Sequence, residues 1–435
     1  MTLSDWQKYV YKLRPDIVFA LSDTPFTPPP FSQKRITKSI ERSVSWVADI
    51  LRPLPDGDAG SSESCTSRLS RHPLNVFVHM AGGASLPARE AFAYGLRETL
   101  HGPEADAVKP LHSLDEGISG YAFDLAVLRG IQPSPNTSQH QSLPDGFLQL
   151  ESPDMLQHPE PIVEVPTPST MEEVSLTASN DLCIPESGVL PLNMVLLLKT
   201  SLAELSEQKL RLVTGIRSPH EMLRLIRDVG IDLFDVGWAM NAANLGVALD
   251  FVFPVPTAND GADVRPRQRL GHNLYDPIYA HQFGRLADTL VGAGESAEGV
   301  TVQREVCPCI ACSPRSPSSH ILHSTVDQQS YTDTGGEVRG LYEKPYSRAY
   351  IHHLLHTHEM SAHTLLVAHN LAVVSAFLAG VRRVWVESES ARFAVEVEKF
   401  SGAYDESWEM YIAAKKDWEC VDKARGKGRL AKERG

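Results

Sequence analysis

Three cysteines carry the clearest chemistry in the chain. Cys307, Cys309 and Cys312 fall in CPCIACS at i, i+2 and i+5, on a knuckle too short to pair sensibly as a disulfide. Thiolates at such spacing suit Zn²⁺, whose closed structural sites take four nitrogen or sulfur ligands in a tetrahedron. A fourth ligand is needed. Cys65 and Cys183 stand in loop-like stretches and Cys420 in a charged C-terminal segment, so histidine is the better source. Six of the seventeen histidines lie close together, His352, His353, His356, His358, His363 and His369. SRAYIHHLLHTHEMSAH reads as a helix on which His352 and His356 share a face at i, i+4, placed equally for metal or for solvent. His369 follows the apolar run TLLVA and precedes what reads as a new helix, NLAVVSAFLAGVRR. A ligand at such a junction is held by two elements, yet spacing alone leaves all six open.

The elements that must position these groups alternate along the chain. Short apolar, β-branched runs predict strands at DIVFAL (16–21), NVFVHM (75–80), GYAFDL (120–125), LRLVTG (210–215) and DLFDV (232–236). Helical patterns lie between them. KSIERSVSWVADILRPL sets Ile40, Val44, Val47 and Leu51 on one face, and SLPAREAFAYGLRETL opens with Ser and Pro. SPHEMLRLIRDVG pairs Ser218 with Glu221 as a capping box and ends at Gly230. Such alternation means a parallel sheet with right-handed crossovers, open or closed as a (β/α)8 barrel. Polar stretches at 54–72, 132–170, 256–268 and 313–345 read as surface loops or insertions.

Composition narrows the classes further. The 435 residues are 42% hydrophobic and 22% charged, which supports a large core and excludes wholesale disorder. A formal charge of -13 argues against a protein that coats nucleic acid electrostatically, although WECVDKARGKGRLAKERG is one basic stretch. The start lacks the apolar core of a secretory signal, and no apolar run, PLNMVLLLKTSLAEL included, is read as long enough for a membrane span. Six cysteines are too few for a disulfide scaffold. These features predict a soluble intracellular protein with one metal site.

CPCIAC followed by YSRAYIHHLLHTHEMSAHTLLVAHN resembles the zinc subdomain of the tRNA-guanine transglycosylases, which exchange guanine for queuine or its precursor in tRNA anticodons. That family carries Cys-x-Cys-x-x-Cys, then SRAY-x-HH, then a histidine in an HN dipeptide. By position, the resemblance implies one Zn²⁺ per subunit on Cys307, Cys309, Cys312 and His369. DIVFALSDTPF with KSIERSVSW is similar to the family's fourth strand, substrate loop and following helix; RLVTGIRSPHEMLRLIRDVGIDLFDV is similar to its seventh strand, helix and eighth strand. The likeness covers most of 5–125 and 185–385. It implies a TIM-type (β/α)8 barrel, lacking its first strands in this chain, with a C-terminal zinc-binding subdomain. On this reading 1–255 is the partial barrel with insertions at 54–72 and 132–170, 256–385 the zinc subdomain with an insertion at 313–345, and 386–435 a helical, basic tail. With five strands where eight are needed, a sequence shortened at its front is the expectation.

The departures are as informative as the matches. Asp235, in DLFDVGW, falls at the family's nucleophile position, where it is read as inactive. The DSGG-type acid/base loop is absent, Ser22 stands where active members read the purine edge with aspartate, and GWAMNAANLGVALDF replaces a PTRxGR-like segment. This pattern is similar to the family's eukaryotic accessory subunits. It implies a non-catalytic chain in a heterodimer with a catalytic subunit and, through it, tRNA, supporting exchange at wobble position 34 of tRNAs with GU(N) anticodons (Asp, Asn, His, Tyr). It also implies a cytoplasmic location with peripheral association with the mitochondrial outer membrane. The alternatives are an independently active transglycosylase using Asp235 and a zinc-stabilised scaffold. In the accessory reading the zinc subdomain and the SRAYIHH helix form the partner-binding surface, with Tyr350, Leu354 and Leu355, near Leu365 and Leu366, as its apolar face and Arg348 and Glu359 on the polar side.

Overall fold

Five parallel strands run in succession: β1 (Val18–Phe19), β2 (Val76–His79), β3 (Gly120–Asp124), β4 (Leu210–Thr214) and β5 (Leu233–Phe234). All five predicted strands form, in an α/β arrangement. The structure is a computed structural model that describes residues 3–24, 31–52, 74–131, 192–256, 266–290, 294–295, 301–302, 307–313, 345–387, 390–407 and 409–433. The stretches 54–72 and 132–170, and all but the ends of 256–268 and 313–345, lie outside the described residues. So does the whole of Gln132–Ile184, a unit separate from the one described here. Register puts Val18 beside Val76, Phe77 beside Gly120, Tyr121 beside Arg211 and Leu212 beside Leu233. Among the described residues β1 and β5 do not pair, so no closed barrel is formed by them.

The helices α1 (Leu3–Leu13), α2 (Gln33–Leu51), α3 (Leu86–Arg97), α4 (Gly102–Ala107), α5 (Leu125–Ile131), α6 (Leu192–Leu202) and α7 (Pro219–Val229) are interleaved with these strands. Ser85 caps α3 and Ser218 caps α7, each accepting the N–H three residues on. Gly230 closes α7 in the left-handed region at φ 75°, open to glycine at little steric cost. The buried face of α2 departs from the apolar pattern. Ser39, Ser43, Val47 and Ile50 are buried, whereas Ile40, Val44 and Leu51 are half-buried. The reason is polar: Ser39 donates to the Asp23 carbonyl and Ser43 accepts from the Asp23 N–H at 2.9 Å, fixing the segment after β1.

Beyond β5 come α8 (Gly237–Asn244), then β6 (Val247–Leu249) paired antiparallel with β7 (Gly271–Asn273), and a short β8–β9 pair, Gly294–Glu295 with Thr301–Val302. Four helices finish the chain: α9 (Arg348–His356), α10 (Met360–Glu387), α11 (Ser390–Ala403) and α12 (Glu409–Glu433). Phe251, Phe253, Phe377 and Phe400 pack edge-on or tilted between β6, α10 and α11, with centroids 5.6 to 6.1 Å apart. A side chain at Gly380 would strike the Phe253 carbonyl oxygen at 1.8 Å, so α10 crosses that backbone only because the residue is glycine.

Three expectations are corrected here. SRAYIHHLLHTHEMSAH is two helices, parted at Thr357–Glu359, where His358 adopts φ 60°. His369 therefore sits within α10, not at a junction before a new helix. And α10 is, by length and composition, apolar enough to cross a membrane, although nearly half of its most apolar stretch is buried in the protein. His369 and Asn370 on that helix are fully buried and hydrogen-bonded to β6, which is how a helix sits in a protein core.

Candidate metal centre and strand rim

The knuckle is shaped by its own backbone. Ser313 N–H donates to the Cys309 carbonyl at 2.8 Å, Ser313 Oγ to the Cys307 carbonyl at 2.9 Å, and Arg285 to the Cys312 carbonyl at 3.0 Å. The Cys312 N–H points at Cys309 Sγ, 3.2 Å away, as a donor to thiolate. From the other side α10 delivers His369, whose Nδ1 lies 3.6, 3.8 and 3.4 Å from the sulfurs of Cys307, Cys309 and Cys312. A tetrahedral zinc with bonds of about 2.3 Å to sulfur and about 2.0 Å to nitrogen sets this separation at about 3.5 Å. All four donor atoms lie within 4.8 Å of one another, and all four residues are buried. The site is thus a closed Cys₃His group able to hold a metal ion, and the donor set is the one zinc favours.

Its second layer is as specific as the first. His369 Nε2 meets the Leu249 carbonyl at 2.9 Å, so Nε2 carries the proton and Nδ1 keeps its lone pair for the ion. Asn370, the next residue, accepts from the Leu249 N–H at 2.9 Å and donates to the Ala239 and Val247 carbonyls, each at 3.0 Å. One dipeptide of α10 therefore binds β6, α8 and the cluster together. Without an ion the thiols of Cys307 and Cys312 hold the Cys309 thiol far below its ordinary value, and the same crowding pushes Cys312 up. Burial pulls His369 down, but the neighbouring sulfurs outweigh it and carry the imidazole up to about 9. Cysteine binds metal as thiolate and histidine as neutral imidazole, so loading the group releases the protons that its side chains carry. His352, His353, His356, His358 and His363 are not among the four donors.

A polar network that the sequence reading missed locks α9 beside this centre. Asp250 accepts from the N–H groups of Asp288 and Thr289 at 2.7 and 3.0 Å and lies 2.9 Å from His272 Nε2. Arg348 reaches the same His272 nitrogen at 2.8 Å and pairs with Asp288 at 2.9 Å. Burial works against the Asp250 carboxylate, yet His272 and Thr289 hold its pKa below the usual carboxylate value. Arg348, Leu354, Leu355 and Leu366 are all buried, so the expected outward face of Leu354 and Leu355 turns inward, and only Tyr350 is exposed.

At the strand ends the carboxylates are engaged locally. Asp235 accepts from the Gly215 and Ile216 N–H groups at 2.9 and 3.3 Å, joining the ends of β4 and β5. Asp124 accepts from Ala126 at 2.9 Å and Val127 at 3.2 Å, capping α5. Asp23 is held by Arg35 at 2.8 Å and by Arg42 at 3.2 Å, and the Arg35 bond, outweighing desolvation, keeps its pKa low. Ser22 precedes it, half-buried. His79, at the end of β2, stacks on Phe19 at 5.2 Å and is kept neutral-leaning by burial.

Comparison with known proteins gives the same direction. The family profile described as Queuine tRNA-ribosyltransferase matches residues 340–404. "Queuine tRNA-ribosyltransferase accessory subunit 2" of Ixodes scapularis is 27% identical over 191 residues, covering 44% of this chain and 36% of that protein. The proteins of that name from Homo sapiens and Danio rerio are 28% and 25% identical, each covering 43% of this chain and 39% of the relative. The chain spans about two fifths of the length of the curated relatives it matches. With the SRAY helix and the HN dipeptide lying inside the matched segment, the chain is related to the queuine tRNA-ribosyltransferases and, among them, to the accessory subunits.

Proposed function

We propose that this chain is a non-catalytic accessory subunit of a queuine tRNA-ribosyltransferase. In this reading it pairs with a catalytic subunit and supports exchange of guanine for queuine at wobble position 34 of tRNAs with GU(N) anticodons. The observation that carries the reading is the state of the strand-end carboxylates. Base exchange needs a carboxylate free to attack the anomeric carbon and a positioned proton donor. Asp235, at the nucleophile position, is instead turned to two backbone N–H groups, and Asp124 and Asp23 serve a helix cap and an arginine pair. The ion we assign to the Cys₃His group is zinc, in a structural role. We further assign β1–β5 to a (β/α)8-type barrel, since successive parallel strands in chain order are how such barrels are built. The assignment includes a cytoplasmic location with peripheral mitochondrial outer-membrane association.

A partner-binding face fits the same reading, within the zinc subdomain and SRAYIHH helix the sequence suggested but without the buried Leu354 and Leu355. Phe283 is 80% exposed, between Gln282 and Gly284, whose carbonyls accept the Ala349 and Arg348 N–H groups. Ile310, on the knuckle, and Tyr350, stacked on Tyr346, are exposed as well. Large apolar groups set around a metal-locked knuckle offer a rigid anchor for a protein partner. The deciding experiment mixes the chain with its species' catalytic subunit and follows labelled queuine into tRNA. Activity is expected only from the mixture. Incorporation by this chain alone would show that it is an enzyme, and unaltered activity of the catalytic subunit without it would remove the accessory role.

A further inference from the structure

Two of the histidines left out of the buried centre form a close pair of their own. His352 and His356 lie one turn apart on α9 with ring centroids 4.1 Å from each other. Each ring is oriented by the backbone: His352 Nδ1 meets the Leu274 carbonyl at 2.9 Å, and His356 Nδ1 meets the His352 carbonyl at 2.9 Å. A carbonyl can only accept, so both Nδ1 atoms carry protons, and in the neutral rings both Nε2 atoms hold lone pairs. No described residue hydrogen-bonds either Nε2. Carbonyl-oriented imidazoles with the far nitrogen open are how metal-binding histidines are prepared.

The surroundings favour a cation. His356 ends α9, at the negative pole of the helix dipole. Asp276 faces His352 from the segment after β7 and acts against the repulsion of His353 and His356. Burial, the largest influence, holds the His352 pKa down. His356 is exposed and His352 half-buried, so water can fill the remaining positions.

We propose that His352 and His356 form a second, solvent-facing site for a borderline divalent transition-metal ion, bound through their Nε2 atoms and completed by water. Imidazole pairs suit Zn²⁺, Ni²⁺ and Cu²⁺ and do not suit Mg²⁺ or Ca²⁺. This site differs from the Cys₃His centre in ligands, exposure and coordination, and it does not depend on the accessory-subunit reading.

The test is calorimetric titration of the full, tag-free chain, its buried centre already filled, with Ni²⁺. One further micromolar equivalent is expected, weakened by about tenfold or more in His356→Ala and in His352→Ala. His353→Ala, an exposed neighbour on another face, should leave it intact. The metal content of the buried centre reports whether each variant is folded. Absence of a second equivalent in the unaltered chain, its survival in His356→Ala, or its loss in His353→Ala would overturn the proposal.

Discussion

His369 donates through Nε2 to the Leu249 carbonyl, 2.9 Å away, and that bond aims its other nitrogen at three sulfurs. Strand β6 thus fixes the tautomer of the only non-sulfur donor. The protein purified from rich medium should carry one zinc in this centre. Cys309→Ser and His369→Ala should each lose the ion and lower the melting temperature by about 5–15 °C, the scale of several kcal/mol of metal-linked folding energy. Elemental analysis beside thermal melts checks this. Zinc retained in full by His369→Ala would break the ligand assignment.

Asp235→Ala should leave queuine incorporation by the two-subunit enzyme within about twofold while costing about 1–2 kcal/mol of stability, because the Gly215 and Ile216 N–H groups lose their acceptor. Denaturant melts and tRNA labelling on the same preparations separate the two effects. A collapse of turnover in an assembled, folded complex would give Asp235 a chemical role.

Stability should fall as pH drops below His220's ordinary 6.5. The ring is 1% exposed, its Nδ1 has no partner, and burial depresses its pKa. A depressed imidazole binds its proton more readily in the unfolded chain, so its contribution is complete above 6.5 and declines toward the lower folded value. The slope is at most about 1.4 kcal/mol per pH unit for one group. His220→Leu should flatten it, as read by urea melts from neutral to mildly acidic pH. An unchanged slope would assign the proton elsewhere.

Phe283→Glu and Ile310→Glu should weaken assembly with the catalytic subunit by about tenfold or more while zinc stays bound. Arg348→Glu is no test of the surface, since Arg348 is buried against Asp288 and His272 and its reversal should unfold the network. Sedimentation of the mixed subunits measures the difference. Unaltered assembly in both glutamate variants would place the interface on another face.

Why some of this was legible and some was not follows from how local each signal is. The five strands are short apolar runs, most fully buried in β2 and β3, and Ser218 with Gly230 brackets α7 by short-range capping alone. The three cysteines announce a metal by spacing, but His369 was singled out only by resemblance to a family. Its environment is made by β6, far from it in sequence. The Asp250, His272 and Arg348 network has no local signature at all, because its members meet only when β6, β7 and α9 pack. Hydrophobic periodicity misled at α2, where serines take the buried face to hold Asp23, and at α9, where hydrogen bonds turn Leu354 and Leu355 inward. The break at His358 has neither glycine nor proline to announce it.

The base of the 313–345 stretch has a further consequence. Tyr346 N–H donates to the Ala311 carbonyl at 2.9 Å, so the chain returns to the knuckle at almost the point where it left. Its ends are stitched together independently of what runs between them, and loop closure adds little cost as length grows. That stitch makes the segment a natural site for length variation and for grafting. It also means that a cut there would yield two fragments, one bearing the cysteines and the other His369, which a bound ion would still staple into a single folded body.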